Sequence, residues 1–449
     1  MLAENQSRIL LIVSDLHLSE GWDEKTKKLS RNEDFFFDQS FQRFLKFYME
    51  KGSKEKCRVN LIIAGDFVDL LQVISLPEGD TVGGEAITPR EREFGLGTSP
   101  KKSCWKLRKL MNGHWIFFQA LSQFLVAGNA VTIIPGNHDI EFSIPEVQNC
   151  LRAELLNYIP EKEKDKQEIS NLINKNLSFL PWFYYEPGLV YVEHGHQYDS
   201  LNSFDYFLHP SRPDNLIDLP AGSFFVRYLF NKVETEYPFA DNMKPATRFL
   251  RWLLKKMFIR GLFLKKQVRS QLFHYINFFR ETLNKAGPIP SDWVSELEAR
   301  QTESLRNIAI SSGISEEKLR DIKDKWAKSD IHHLSKCQLF WRFIKGESQN
   351  DIYYEAAKKI EEILAVQYIV FGHSHEADLE PLEPENWSRE YINSGTWTKV
   401  FIESYEERLL KEENEFVFVM IDKAGPKMEL LRWRDDLGEG ERVRLFSTT

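Results

Sequence analysis

Aspartate, histidine and asparagine recur in five short blocks along a chain of 449 residues. The blocks are Asp15-Leu16-His17, Gly65-Asp66-Phe67-Val68-Asp69, Gly136-Asn137-His138-Asp139, His194-Gly195-His196 and Gly372-His373-Ser374-His375. Carboxylate oxygens, an amide oxygen and imidazole nitrogens form the donor set of a divalent transition metal. Two such ions side by side need donors on both flanks and at least one shared carboxylate. Asp15, His17, Asp66 and His375 can hold one ion, and Asp66, Asn137, His194 and His373 the other. Asp66 is then the bridge. His373 and His375 are two positions apart, so in an extended turn both rings face one side. A water or hydroxide between the metals would be acidic enough to attack near neutral pH, and the metals would neutralise charge on a phosphoryl group. His138 adjoins Asn137 outside the ligand set, which leaves it free to protonate the leaving oxygen as general acid. Asp139 is expected to orient its ring.

Other readings compete at some positions. His194 and His196 are both candidates for the ligand of the fourth block, and His194 is preferred because it directly follows its strand. Asp69 is expected to open a helix or to support the site from behind rather than to bind metal. His114, His209, His274, His332 and His333 lie outside the blocks and read as packing or surface histidines.

The elements that must carry the blocks are short and apolar. Residues 9–14, 61–64, 131–135, 189–193 and 368–371 are runs of β-branched and other apolar residues, each read as a buried strand. Each block follows the end of such a run, where ligands of α/β sheets bind. Helices are expected over residues 34–51, 104–127, 144–158 and 353–364. Gly128-Asn129 marks the end of the second helix. Further strands are expected at residues 390–393, 415–421 and 427–433. Residues 75–103, rich in glycine and proline, read as a long loop beside the site, mobile or acting as a partial lid. Residues 160–170 read as a solvated helix face, and residues 434–449 as a charged end that frays.

Composition narrows the class. The hydrophobic fraction is 42% and the net charge −8, with a pI near 5.9. The whole protein is therefore no polyanion binder. Cys57, Cys104, Cys150 and Cys337 are scattered, with no Cys-x-x-Cys. That argues against a disulfide framework or a cysteine zinc site and suits a reducing cytosol. Residues 1–8 do not resemble a signal peptide, and no apolar run is long enough to span a bilayer. The expected location is cytoplasmic.

Taken together and in this order, the five blocks resemble the calcineurin-like metallophosphoesterases. Tyr391-Ile392-Asn393-Ser394-Gly395-Thr396-Trp397 is similar to that family's segment after the last ligand block. The resemblance covers roughly residues 8–200 and 353–433. It implies an α/β fold, a four-layer α/β/β/α sandwich with mixed sheets, a binuclear metal centre and phosphoester hydrolysis. It carries over, position by position, the ligand roles of Asp15, His17, Asp66, Asn137, His194, His373 and His375 and the acid role of His138.

The resulting domain reading is a discontinuous catalytic domain, residues 1–200 and 350–449, interrupted by a mainly helical insertion, residues 201–349. The metals are read as two divalent ions, with manganese, iron, zinc and nickel equally suited to the donors. The insertion holds a basic segment, residues 242–280, in which Lys244, Arg248, Arg251, Lys255, Lys256 and Arg260 alternate with Phe249, Trp252, Leu254, Met257 and Phe258 and no acid intervenes. Such a segment can lie on an anionic lipid surface or can cap the catalytic domain. The expected substrate is a nucleotide- or lipid-linked phosphate compound. The alternatives are a metal-dependent nuclease or phosphodiesterase and a non-catalytic scaffold on the same fold.

Overall fold

In this computed structural model, residues 8–159, 165–231, 243–244, 290–327, 350–383, 386–403, 410–414, 416–422 and 427–443 are described. The chain opens with four strands that lie parallel side by side, β1 (Arg8–Val13), β2 (Arg58–Ala64), β3 (Ala130–Ile134) and β4 (Leu177–Phe179). A second sheet follows, built from β5 (Phe183–Glu186), β6 (Val190–Glu193), β7 (Tyr368–Phe371), β8 (Asp378–Glu383) and β9 (Asn386–Asn393). Its order is β8-β9-β7-β6-β5, with β6, β7 and β9 parallel and the two edges antiparallel. Three last strands, β10 (Val417–Asp422), β11 (Lys427–Arg434) and β12 (Glu439–Arg442), return antiparallel to complete the first sheet in the order β12-β11-β10-β1-β2-β3-β4. The fold is thus α/β with two mixed sheets.

The sequence of β1 explains its place. Ile9, Leu11 and Val13 point to one face and Leu10 and Ile12 to the other, and all five are fully buried. One cluster joins Leu10, Ile12, Ile62, Ala64 and Ile134 to Val190, Val192, Val370 and Ile392, so the sheets meet face to face there. The opposite face of the first sheet packs against Phe41, Phe44 and Tyr48 of helix α1 (Asp38–Glu55). A strand covered on both sides has no polar face, which is why these strands read as continuous apolar runs. Each such side chain contributes about 1.5–3 kcal/mol by leaving water.

Several expectations change. The helix expected over 34–51 lies four residues later, because Asn32, Glu33 and Asp34 are buried in polar contacts ahead of it. The helix expected over 104–127 is two, α2 (Pro100–Gly113) and α3 (Trp115–Val126), separated at His114. Gly113 lies so close to Glu20 that a Cβ there would stand 1.9 Å from the Glu20 carbonyl oxygen, and His114 is buried between two acids. The loop expected over 75–103 is a packed structure. It contains the hairpin Thr81–Val82 and Glu85–Ala86 and a helix, Pro89–Phe94, opened by a capping box between Thr88 and Glu91. Val82, Ile87 and Leu96 form its own small core, and Arg227 donates to the carbonyls of Gly95 and Leu96.

The remaining helices of eight residues or more among the described residues are α4 (Pro145–Leu155), α5 (Lys166–Asn176), α6 (Ser291–Ser312), α7 (Glu316–Lys323) and α8 (Asn350–Leu364). Of residues 434–449, expected to fray, residues 434–443 include β12, and residues 444–449 lie outside the described residues. Of the basic segment 242–280, only Met243–Lys244 is described, as a strand parallel to Lys399–Glu403. The rest of that segment lies outside the described residues, as do residues 160–164. No described helix is long and apolar enough to cross a membrane. Cys57, Cys104 and Cys150 are free thiols.

Candidate metal centre

The ends of β1, β2, β3, β6 and β7 bring the five blocks to one place. Backbone bonds lace them together: Asp15 N donates to Gly65 O, Leu16 N and His17 N to Asp66 O, and Gly372 N to His194 O. The two sheets are joined at the site by His194 Nδ1, which lies 2.9 Å from Ala64 O. The segment after β9 completes the frame. Thr396 Oγ1 donates to Asp15 O, Asn393 Nδ2 to Gly372 O, and Ser14 Oγ lies 2.8 Å from Ser394 Oγ.

Among the described residues, nine non-glycine residues have positive φ, and five of them are Asp15, His17, Asp66, His373 and His375. Such a conformation costs roughly 1–3 kcal/mol each and persists only where surrounding contacts enforce it. The bonds just named enforce it here. They turn each side chain off its strand end toward a common centre. Glycine is required beside them: a Cβ on Gly136 would stand 2.1 Å from Asp66 Oδ1, and one on Gly65 would stand 2.3 Å from the His194 ring.

Two donor groups converge. Asp15, His17 and His375 form one and Asp66, His194 and His373 the other. His375 Nε2 lies 3.2 Å from Asp15 Oδ1 and 3.0 Å from His17 Nε2. Asp66 Oδ2 lies between the groups, 3.6 Å from His17 Nε2 and 3.2 Å from His194 Nε2. Asn137 Oδ1 is 3.3 Å from His194 Nε2. His194, and not His196, therefore shares the second group. His196 is buried behind it against Phe204 and Phe207, with neither ring nitrogen hydrogen-bonded.

These residues fit a divalent cation. Asp15 Oδ1 is buried and accepts no hydrogen bond, although imidazole nitrogens surround it. Burial opposes charge on Asp66, yet His194 and His138 hold its carboxyl well below the ordinary range. Burial likewise opposes charge on His194, but Asp66 and Asp15 push it up to about 9. Buried acids that draw protons onto neighbouring imidazoles form a field that equally favours a metal cation, whose binding would displace those protons.

His138 stands at the rim of this field, and its ring meets the His17 ring edge to face at 4.7 Å. Its partner is not the one expected. Asp139 accepts from the backbone N–H groups of Phe67, Val68 and Gly136 and does not touch the His138 ring. Its side chain points back under the block, tying the second and third blocks together. Burial and the nearby Asp66 carboxylate push its carboxyl up to about 7. Asp69 takes the expected place, with Oδ2 2.5 Å from His138 Nδ1 and 3.5 Å from His17 Nδ1. Its Oδ1 accepts from Leu71 N and Gln72 N, which fixes the carboxylate. Burial lowers the His138 pKa, but the Asp69 and Asp66 carboxylates outweigh it and the net shift is upward. His17, Asp69 and His138 also lie close enough to form a third donor group, but both histidines direct Nδ1 at Asp69, an arrangement of support rather than ligation.

Two polar residues of the site were not anticipated. Asp199 Oδ2 lies 3.2 Å from His373 Nε2, and Asn202 Oδ1 accepts from Asn137 Nδ2 at 3.4 Å. Neither follows an apolar strand directly, so no periodic pattern marks them.

A family model described as "Calcineurin-like phosphoesterase" matches residues 9–273. The match contains the first four blocks, while His373 and His375 lie beyond it and enter the site through the fold. No curated protein matches the chain. Solved structures do match, including a crystal structure 10% identical that covers 95% of this chain and 100% of its own, with a TM-score of 0.32. A likeness that low carries no argument about fold or activity.

Proposed function

Because the chain belongs to the calcineurin-like phosphoesterase family, we propose that it hydrolyses a phosphoester with two divalent metal ions. The observation that supports this reading is the position of Asp66 Oδ2 between His17 Nε2 and His194 Nε2, where one carboxylate faces both donor groups. Asp15, His17, Asp66 and His375 would hold one ion, and Asp66, Asn137, His194 and His373 the other. Bound there, the metals would neutralise phosphoryl charge and acidify a water. The chain's own part is to position and to move a proton. Asp69 accepts from Nδ1–H of His138, so the proton on the opposite nitrogen is the one available to the leaving oxygen. The substrate is proposed to be a nucleotide- or lipid-linked phosphate, with manganese as a suitable metal.

The test is hydrolysis of p-nitrophenyl phosphate and its bis ester by protein stripped with chelator and then reloaded with manganese. Turnover that vanishes on stripping and returns on reloading is expected. A protein that binds manganese but hydrolyses neither ester, nor any member of a panel of nucleotides, sugar phosphates and nucleotide-linked lipids, would leave the scaffold reading. Tight DNA binding that weakens steeply with salt would move the substrate to nucleic acid.

A further inference from the structure

We infer that Asp199 and Asn202, on the turn after the fourth block, are positioning residues for the metal centre: Asp199 sets the His373 ring and Asn202 sets the Asn137 amide. The inference rests on the two-metal reading and extends it to residues outside the donor groups.

The turn is built for this. Gly195, at φ 98, reverses the chain after His194, and a short 3-10 turn, His196–Tyr198, delivers Asp199 beside His373. The Asp199 side chain is 6% exposed. Its Oδ1 accepts from Leu201 N at 2.9 Å, and its Oδ2 accepts from Asn202 Nδ2 at 2.7 Å. Asp199 O accepts from the N–H groups of Asn202 and Ser203. The carboxylate therefore cannot swing away, and one of its oxygens remains 3.2 Å from His373 Nε2. An ionised carboxylate only accepts, so the nitrogen that faces it must carry the proton. In a neutral ring the lone pair is then on Nδ1. That assigns the His373 tautomer and names the nitrogen that can bind a cation.

Asn202 applies the same logic to an amide. Its Nδ2 is spent on Asp199, so its Oδ1 is an acceptor for Asn137 Nδ2. With its NH2 group held there, Asn137 has its Oδ1 on the side of His194 Nε2, the orientation a metal ligand needs. The Asn137 backbone is held as well, by Ser223 Oγ donating to its carbonyl. Asn202 is itself wedged in place: a Cβ on Gly222 would stand 2.0 Å from Asn202 Oδ1, and Gly222 N donates to Leu201 O. One turn thus orients a ligand from β3 and a ligand from β7, which lie on different sheets. Both belong to the same proposed ion, so the other ion should not depend on it.

The experiment measures manganese affinity by chelator competition, and so does not depend on turnover. Asp199→Ala is expected to weaken one of two manganese equivalents by about 10–100-fold, the usual effect of losing such a partner, and to leave the other unchanged. Asp199→Asn, whose amide oxygen can still accept from His373 Nε2–H, is expected to regain most of the loss. Added to His373→Ala, Asp199→Ala is expected to weaken binding no further. Wild-type affinity in Asp199→Ala, or additive losses in the double variant, would overturn the assignment. If Asp199→Ala does not fold, Asn202→Ala carries the test, with a smaller loss in the same equivalent expected and unchanged affinity overturning it. Wild-type protein that binds no manganese would overturn the two-metal reading itself, an outcome distinct from wild-type binding that the variants fail to alter.

Discussion

His114 is a buried cation between two acids, and its removal should change how stability depends on pH. Its Nδ1 lies 3.1 Å from Asp38, and its Nε2 lies 3.1 Å from Glu33 Oε2, an ion contact that is not aligned as a hydrogen bond. Burial opposes the charged ring, but Glu33 and Asp38 push its pKa from 6.5 up to about 10. Glu33 in turn accepts from the N–H groups of Ser19, Gly21 and Phe35, and so holds the chain that leaves the first block. A shift of that size, at about 1.4 kcal/mol per unit, corresponds to about 5 kcal/mol of stability from protonated His114. The folded pKa is raised, so this stability is fully present below about pH 6.5 and is lost as pH rises through about 10. Between pH 6 and pH 9 the loss should be about 3 kcal/mol. The assay is urea unfolding of the wild type and His114→Gln, followed by circular dichroism, because the difference between the two cancels the titration of groups that do not contact His114. The stability gap should be widest at pH 6 and should shrink by that amount at pH 9. A gap that stays constant over this range would refute the argument, because it would mean that His114 is not charged in the folded protein.

Other outcomes follow from the site. Asp66→Asn should lose one or both metals and most turnover, since a neutral amide replaces the carboxylate that faces both donor groups; two bound equivalents by mass spectrometry with normal turnover would contradict its bridging role. His138→Ala should keep its metals and lose about 10²–10⁴-fold in rate on alkyl phosphoesters, with a smaller loss on p-nitrophenyl esters, whose leaving group needs no proton. Asp69→Ala should follow the same leaving-group dependence, and an equal loss for both leaving groups would deny His138 the acid role. For the basic segment 242–280 we propose peripheral contact with a lipid surface, so the protein should co-sediment with anionic vesicles at low salt and less at high salt. Failure to sediment even at low salt would direct the search to water-soluble phosphoesters.

Much of this was written in local patterns. β1, β2, β3, β6 and β7 were legible because a strand covered on both faces must be apolar throughout. The donors were legible because each block begins within two residues of its strand's end, at the mouth of a sheet where side chains can leave the core. Gly65 and Gly136 open two of the blocks, and the structure explains them by the Cβ clashes they avoid. The capping box at Thr88 and Glu91 was also local and could have been read. The glycines and prolines around it obscured a helix of only six residues.

What tertiary structure alone decided concerns residues distant in sequence. Asp139 adjoins His138 in the chain and Asp69 lies 69 positions away, yet Asp69 meets the ring. Adjacent side chains at a turn diverge, and the backbone N–H groups of Phe67, Val68 and Gly136 claim the nearer carboxylate. The same holds for His114, which breaks a helix that its local sequence would continue, because Glu33 and Asp38 come to it from elsewhere in the chain. It holds for Asp199, whose partner His373 lies 174 residues later. Strand propensity and the donor chemistry of each block are properties of neighbouring residues, and sequence alone determined them. Which nitrogen of a histidine faces an acid, and which acid that is, depends on the relative placement of strands from two sheets, and only the folded chain decides it.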